Sequence, residues 1–185
     1  IDWKRQGMMS DQQMASFLAS VEQKAYRMAM FALKQHDDAL DAVQDAMLQL
    51  VQNYSARADS EWPALFHRIL QNRIQDSHRR KRWTRLLMPW RDESDDIGIT
   101  VSDAVIDKKQ LPQVERVHQD RAMARLQAAL QNLPLRQQQA YLLRHWEGLD
   151  VKDTAKAMAC SEGSVKTHLS RALAALKKQL LEDWP

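Results

Sequence analysis

The stretch DVKDTAKAMACSEGSVKTHLSRALAALKKQL, residues 150–180, decides the fold class of this chain. Its first part reads as a short helix that Asp150 can cap, with an inward face made of Val151, Thr154, Ala155 and Met158. The chain turns after Ala159 and Cys160, and Ser161 can cap a longer helix. The apolar stripe of that helix contains Val165, Leu169, Ala172, Leu173, Leu176 and Leu180. A short helix, a tight turn and a second amphipathic helix predict a helix-turn-helix.

The outward side of the second helix carries groups that can contact DNA. In a helix-turn-helix the second helix enters the major groove, and its first turns meet base edges. Lysine and arginine can pair with guanine, hydroxyls can bond several edges, and a helix N-terminus attracts phosphate. The candidate DNA-reading residues are Ser164, Lys166, Thr167, His168, Ser170 and Arg171. The alternative is a solvated polar face without a partner, which the preceding short helix makes less favourable.

Composition predicts an all-α protein. Only 4 glycines and 5 prolines occur in 185 residues, and apolar residues recur at helical spacing along most of the chain. No apolar run approaches the ~20 residues that span a bilayer, and the single cysteine, Cys160, fits a reducing compartment. We therefore expect a cytoplasmic protein. Residues 1–7 precede Met8 and Met9, and we leave them out of the predicted fold.

Three helices are predicted in the first half. The first begins at a capping box formed by Ser10 and Gln13. The second begins near Asp37 or Asp38 and buries Leu40, Val43, Met47, Leu50 and Val51. The third, capped by Ser60, buries Leu65, Phe66, Ile69, Leu70 and Ile74 and continues into the cationic stretch QDSHRRKRWTR.

The charge distribution divides the chain. Residues 73–91 carry 7 basic and 1 acidic side chains, residues 92–107 carry 6 acidic and none basic, and residues 121–185 carry 10 basic and 6 acidic. Periodicity fails between Pro89 and Pro112, over a length that is unusual for a loop inside one domain. We predict two small helical domains, 8–88 and 114–185, joined by a flexible acidic linker, 89–113. Nucleic-acid contacts are expected in both domains.

Three segments together resemble the extracytoplasmic-function sigma factors of the sigma-70 family, the promoter-recognition subunits of bacterial RNA polymerase. They are DAVQDAMLQL at 41–50, ILQNRIQDSHRRKR at 69–82 and LPLRQQQAYLLRHWEGLDVKDTAKAMACSEGSVKTHLSRALAALKKQL at 133–180. The resemblance covers essentially residues 12–85 and 121–181. It implies an alternative sigma factor that binds core RNA polymerase, promoter DNA and an anti-sigma factor. No catalysis, cofactor or metal is expected.

The resemblance also assigns surfaces in the first domain. The outer face of the second helix is the expected docking surface for the clamp coiled coil of the largest catalytic subunit, with Asp41, Gln44, Asp45, Leu48 and Gln52. The loop 53–60 corresponds to the loop that captures a flipped base of the minus-ten element, with Asn53, Tyr54, Ser55 and Arg57. The minus-ten-reading and melting helix contributes Asn72, Asp76, Arg79, Arg80 and Arg82. The second domain reads the minus-thirty-five element as duplex.

Three features of the sequence leave alternatives open. The family usually shows Phe-x-x-Trp-Leu where this chain has Trp62-Pro-Ala-Leu65-Phe66, which we interpret as a repacked core. Trp83 and Trp90 could stack on bases, although packing in the core or linker explains them equally well. The acidic linker could imitate nucleic acid in a positively charged polymerase channel.

Two other classes of protein are alternatives for a chain that contains a helix-turn-helix. A LuxR-type regulator would share SVKTHLSRALAAL, but a receiver domain ahead of it should show alternating strands and helices, and no such pattern is present. A recombinase or nuclease would need a positioned nucleophile or converging carboxylates. The acidic residues of 8–60 are spread over outward faces, and the six histidines are scattered.

Overall fold

The computed structural model describes residues 2–87 and 123–182, and helices make up almost all of both ranges. The elements are α1 (Asp2–Leu33), α2 (His36–Tyr54), a 3-10 turn (Asp59–Glu61), α3 (Trp62–Leu87), α4 (123–131), α5 (Leu135–Tyr141), a π-helical segment (Leu142–Trp146), α6 (Val151–Met158) and α7 (Glu162–Glu182). No strand occurs in these two ranges, so the all-α prediction is confirmed. None of the helices found there is long and apolar enough to cross a membrane. The predicted linker, 89–113, lies outside the described residues.

The first domain is a bundle of α1, α2 and α3. Its core contains fully buried side chains from all three helices, among them Met28, Leu50, Phe66, Leu70 and Ile74. The buried residues of α2 are mostly small and recur at helical spacing, as in Ala39, Ala42, Val43, Ala46 and Leu50. Small side chains on one stripe allow the neighbouring helices to approach closely.

Two side chains predicted to lie inward are exposed. Val51 is 42% exposed, because it follows Leu50 by one position and therefore lies about 100° around the helix from the buried stripe. Leu173 is 44% exposed for the same reason, since Ala172 already occupies the inward position on α7. Both predictions extended a correct stripe by one residue too many.

Two predicted helix starts are also wrong. The first helix begins at Asp2, so residues 2–7 belong to it and Ser10 lies within the helix. A single glycine at position 7 costs about 1 kcal/mol in a helix and does not end one. Ser60 lies in the 3-10 turn ahead of α3, where its amide donates to Asp59 Oδ1 at 2.7 Å. Pro63 then occupies the first turn of α3, where a missing N–H costs little.

The second domain contains the predicted helix-turn-helix. The Asp150 carboxylate accepts a hydrogen bond from the Asp153 amide at 2.7 Å and caps α6. Ala159 has a φ of 50°, and this left-handed residue ends the helix. The Ser161 hydroxyl accepts from the Ser164 amide at 3.1 Å at the start of α7. Both caps and the turn agree with the sequence pattern.

The cap of α6 can be tested by substitution. Asp150→Ala is expected to lower the free energy of unfolding by roughly 0.5–2 kcal/mol, because the first-turn amide of Asp153 loses its acceptor. Asp150→Asn is the matched control, since asparagine caps a helix about as well as aspartate. Urea denaturation followed by circular dichroism measures both variants. Equal losses in the two would contradict a capping role.

The two domains pack against each other through α3 and α6. His67 Nε2 of the first domain lies 3.5 Å from Glu147 Oε2 of the second, and the two side chains are 1% and 6% exposed. The Gln138 side-chain amide donates to the Phe31 carbonyl at 3.3 Å and to the Leu130 carbonyl at 2.8 Å. The Trp146 ring meets the Phe31 ring edge-to-face at 6.4 Å. The sequence alone does not indicate how the two domains are arranged, so this contact could not be predicted from it.

The interdomain contact also buries polar atoms that lack partners. His67 Nδ1, Glu147 Oε1 and Trp146 Nε1 have no hydrogen-bond partner within the described structure. A buried, unpaired polar group costs roughly 1–3 kcal/mol relative to one in water. The packing of apolar groups therefore stabilises the contact, whereas the desolvation of these unpaired polar atoms destabilises it.

Candidate nucleic-acid interface

The first two turns of α7 present a polar surface to solvent. Lys166, Thr167, Ser170 and Arg171 are exposed, whereas Val165 and Ala172 between them are buried. The Thr167 hydroxyl donates to the Gly163 carbonyl at 2.9 Å, which fixes its direction and leaves its oxygen free to accept. The exposed side chains can therefore reach a groove while the buried ones hold the helix on α5 and α6.

Two of the predicted DNA-reading residues on α7 are less accessible. Ser164 is half-buried, its hydroxyl lies 2.9 Å from the Ser161 hydroxyl, and its amide bonds the same oxygen. Ser164 therefore takes part in the cap of α7. His168 is half-buried as well. The accessible part of the predicted set is Lys166, Thr167, Ser170 and Arg171.

The last turns of α3 form a second cationic surface. Arg79, Arg80 and Arg82 are exposed, and Arg79 bonds the Asp76 carboxylate of the preceding turn at 2.9 Å. Lys81 points the other way, because it lies on the inner side of α3. Its ammonium is 2.9 Å from the Asp38 carboxylate and 3.1 Å from Gln35 Oε1. Three of the four cations in RRKR thus remain available to a ligand.

The only histidine of this cationic helix end adds little charge at neutral pH. Partial desolvation, together with the neighbouring Lys81 ammonium, lowers the pKa of His78 from its ordinary value, although part of the ring is exposed. A hydrogen bond with the backbone of Ala32 acts in the opposite direction and is the smaller effect. The positive charge of this surface therefore comes from its arginines.

The loop between α2 and α3 lies at the opposite end of α3, ahead of Trp62. Asn53 and Arg57 are exposed, Tyr54 and Ser55 are half-buried, and the Arg57 amide donates to the Tyr54 carbonyl at 3.0 Å. Asn72 is exposed and Asp76 is half-buried on α3. All of the predicted minus-ten residues are therefore at least partly accessible.

At the start of α3, this chain has aromatic residues at other positions than the usual family pattern, and the structure places these residues in the core. Trp62 and Phe66 are both buried, and each packs against Phe17 of α1, with ring centroids 6.0 Å and 6.1 Å apart. Leu65 is half-buried. This agrees with the interpretation that aromatic bulk has moved along the helix while the core remains filled.

The outer face of α2 combines acidic and amide groups with exposed apolar ones. Asp41, Gln44, Asp45 and Gln52 are exposed, and Leu48 is 58% exposed. Arg73 of α3 lies against this face, with its Nε 3.7 Å from Asp45 Oδ2 and its NH2 3.4 Å from Gln49 Oε1. Sequence reasoning missed Arg73, since the helix pairing that brings it there is not visible in a single stretch.

No group of three or more histidine, cysteine or carboxylate side chains that could hold a metal ion was found where the structure describes the chain. Cys160 is a free thiol of intermediate burial that packs against the hydrophobic core. The two cationic surfaces offer guanidinium, ammonium and hydroxyl groups, which can bind anionic and polar ligands.

Comparison with known proteins places these surfaces in a family. The family model for Sigma-70 region 2 matches residues 15–84, and the model for Sigma-70, region 4 matches residues 123–176. The ECF RNA polymerase sigma factor SigM of Mycobacterium tuberculosis is 30% identical over 156 residues, which are 84% of this chain and 70% of that protein. The RNA polymerase sigma factor SigV of Bacillus subtilis is 26% identical over 164 residues, covering 88% of this chain and 87% of that one.

Solved structures share the fold. The sigma factor RpoE of Bartonella quintana, in complex with the anti-sigma factor NepR, superposes with a TM-score of 0.60 at 21% identity over 99% of both chains. CnrH in complex with the cytosolic domain of CnrY gives 0.59 at 18% identity over 96% of this chain and 97% of that one.

The chain thus joins a helical bundle that matches Sigma-70 region 2 to a helix-turn-helix domain that matches Sigma-70 region 4, the two parts of a transcription initiation factor. The chain belongs to the extracytoplasmic-function sigma factors of the sigma-70 family. It is an alternative sigma factor that directs promoter-specific transcription, and the LuxR-type alternative is not favoured, because region 2 of the family matches the first domain.

Proposed function

We propose that this sigma factor uses three separate surfaces. The outer face of α2 docks on core RNA polymerase, the loop 53–58 and α3 hold the opened minus-ten element, and α7 reads the minus-thirty-five duplex. The observation that carries the proposal is that most polar candidates on α2, α3 and α7 are exposed, while the buried residues of these helices form the core. The domain limits 8–88, 89–113 and 114–185 remain part of this proposal.

The docking face on α2 suits a protein partner rich in arginine. Asp41 and Asp45 supply negative charge, and the exposed Leu48 supplies apolar area that gains free energy only when a partner covers it. Asp45 already lies close to one guanidinium, that of Arg73, which shows that the face accommodates such a group. A clamp coiled coil of the polymerase has the chemistry that this face requires.

The two proposed DNA surfaces, on α7 and α3, are suited to different forms of DNA. On α7, lysine and arginine can make base contacts worth roughly 1–3 kcal/mol of discrimination each in a duplex major groove. On α3, arginines beside Asn72 suit phosphates and unpaired bases, which strand opening exposes. The chain supplies binding only, and the polymerase supplies the catalytic groups. We place the protein in the cytoplasm, with the polymerase.

An anti-sigma factor is the proposed regulatory partner. The sigma factor RpoE, which shares this fold, was solved in complex with the anti-sigma factor NepR, and CnrH, which also shares it, in complex with the cytosolic domain of CnrY. The polymerase-docking face of α2 is the proposed site of competition, because one apolar and acidic surface can be covered by either partner.

Reconstituted transcription tests the proposal. The purified chain is added to sigma-free core RNA polymerase on a pool of genomic templates, and start sites are sequenced. We expect discrete transcripts that depend on the added chain. The absence of any such transcript would overturn the assignment, and tight binding of one discrete duplex without polymerase would favour an autonomous regulator.

Asp45→Arg tests the docking face. We expect at least about tenfold weaker binding to core polymerase, since a repulsive charge replaces an attractive one at the interface. Arg73→Ala is the matched control, because it removes the Asp45 ion pair but leaves the carboxylate in place. Fluorescence anisotropy of the labelled sigma factor measures both affinities. Unchanged affinity in Asp45→Arg would contradict docking through this face.

A further inference from the structure

A groove that opens to solvent lies between the two domains, where α3 contacts α6. Its volume is about 480 Å³, which is within the range of pockets that hold small ligands. Arg68 of α3 lines it from the first domain, and Lys152 and Lys156 of α6 line it from the second. Two alanines, Cys160 and Glu162 complete the lining. Because both domains supply residues, the groove exists only while the domains are in contact.

The groove brings positive charges from both domains together. Its lining carries three cations against one carboxylate. Arg68 and Lys152 are exposed and form no ion pair with any described residue, whereas Lys156 bonds Asp153 of its own helix at 2.8 Å. The domain contact therefore brings a guanidinium near two ammonium groups, and like charges repel one another. An anion bound between them would attract both domains and offset this repulsion.

Nearby carboxylates reduce the positive charge of the groove without removing it. The hydrogen bond and the charge of Asp153 raise the pKa of Lys156, and Glu61 of the first domain acts in the same direction more weakly. Glu162 is exposed beside the groove. None of these three carboxylates forms an ion pair with Arg68 or Lys152. These two cations are therefore the groups that a ligand would neutralise.

The two kinds of cation indicate the class of ligand. A guanidinium binds phosphate oxygens through two parallel hydrogen bonds, and a lysine ammonium binds phosphate as a point charge. Since Arg68 and Lys152 belong to different domains, an anion with two linked phosphate groups can contact both. The described lining contains no aromatic side chain, so it offers no ring on which a base could stack.

We propose that this groove binds the diphosphate group of a small molecule, such as pyrophosphate or a nucleoside diphosphate, and that the bound anion holds the two domains together. The inference goes beyond the proposed function, because it adds a small-molecule site outside the three surfaces named there. A ligand that binds only while the domains are in contact shifts the chain toward that form by mass action. The effector therefore lowers the fraction of the chain whose domains are apart.

Cys160 supplies the readout, because it lines the groove and is the only cysteine of the chain. Alkylation of the full chain by iodoacetamide is followed by mass spectrometry, with pyrophosphate as the probe and sodium chloride at equal ionic strength as the reference. At about ten times the dissociation constant of pyrophosphate, alkylation should be about tenfold slower, since only the unliganded chain reacts. Amide hydrogen exchange in α3 and α6 should become slower as well.

Substitutions on each side of the groove test which groups hold the anion. Lys152→Ala and Arg68→Ala should each bind pyrophosphate about fivefold more weakly, as expected for the loss of one exposed ion pair. Each variant is compared with and without pyrophosphate, so that a change in the intrinsic reactivity of the thiol cancels. Lys177→Ala, at an exposed lysine of α7 outside the groove, is the matched control and should bind like the wild type.

Several results would overturn the inference. Pyrophosphate that gives no protection, or only as much as sodium chloride, would exclude a specific site. Weaker binding in Lys152→Ala but not in Arg68→Ala would place the anion on the second domain alone. Equal protection by a short duplex of unrelated sequence, at the same phosphate concentration, would make the groove a contact for the DNA backbone. These assays contain no polymerase and no promoter, so none of the results bears on the proposed function.

Discussion

Arg171→Ala is expected to reduce transcription by roughly tenfold to a hundredfold from promoters whose minus-thirty-five element pairs with this side chain. The reason is that a bidentate contact with a base edge contributes roughly 1–3 kcal/mol of discrimination. Promoters with another base at that position should change little. Lys166→Ala should act in the same way at a different position, since the two side chains are five residues apart on the exposed face of α7. Transcription from a library of randomised minus-thirty-five sequences measures both effects.

Lys177→Ala is the matched control for these substitutions. It removes an exposed cation from the same helix beyond its first two turns, outside the part that enters a groove. We expect a small and uniform effect from it. A uniform loss in Arg171→Ala as well would contradict base reading and indicate a phosphate contact.

Glu147→Leu is expected to loosen the contact between the two domains. It leaves His67, which is 1% exposed, without the Glu147 carboxylate. An unpaired buried polar group of this kind costs roughly 1–3 kcal/mol. We expect faster amide hydrogen exchange in α3 and α6 and a larger radius of gyration by small-angle scattering.

The double variant His67→Leu with Glu147→Leu makes this prediction falsifiable. Replacing both partners of a buried pair by apolar groups is often neutral or stabilising, so the double variant should recover slow exchange. Asp153→Asn provides the control, since it removes an exposed ion pair, with Lys156, that lies within α6 alone. If Glu147→Leu exchanges as slowly as the wild type, the buried pair does not hold the domains together.

What the sequence predicts well depends on interactions between near neighbours. The caps at Asp150 and Ser161 and the turn at Ala159 involve residues at most five apart, and all agree with the structure. Ser10 shows the limit of such rules, because its capping pattern is present and yet the helix passes through it. A local pattern shows that a residue can cap a helix. Interactions with the rest of the chain determine whether the helix ends there.

The parts that could not be predicted depend on contacts distant in sequence. Arg73 beside Asp45 and Lys81 on Asp38 require the pairing of α2 with α3. His67 with Glu147 requires one domain to lie against the other. The outward position of Ser164 predicts a DNA contact, and the structure adds that its amide and hydroxyl both bond the Ser161 side chain. Sequence spacing alone does not show which polar groups form hydrogen bonds within the protein.

The packing of α3 on α6 has a consequence for the distance that this sigma factor spans. Elements centred near positions 10 and 35 are roughly 25 base pairs apart, or about 85 Å along a duplex. A compact chain of this length has a radius of gyration of about 16 Å, and α1, with 32 residues, is about 48 Å long. With α3 and α7 as the proposed DNA surfaces, the chain cannot reach both elements of one straight promoter while α3 and α6 remain in contact. Separating them exposes Trp146 and Glu147 to water. Because these side chains have polar atoms that are buried without a partner in the closed chain, their hydration lowers the free-energy cost of opening it.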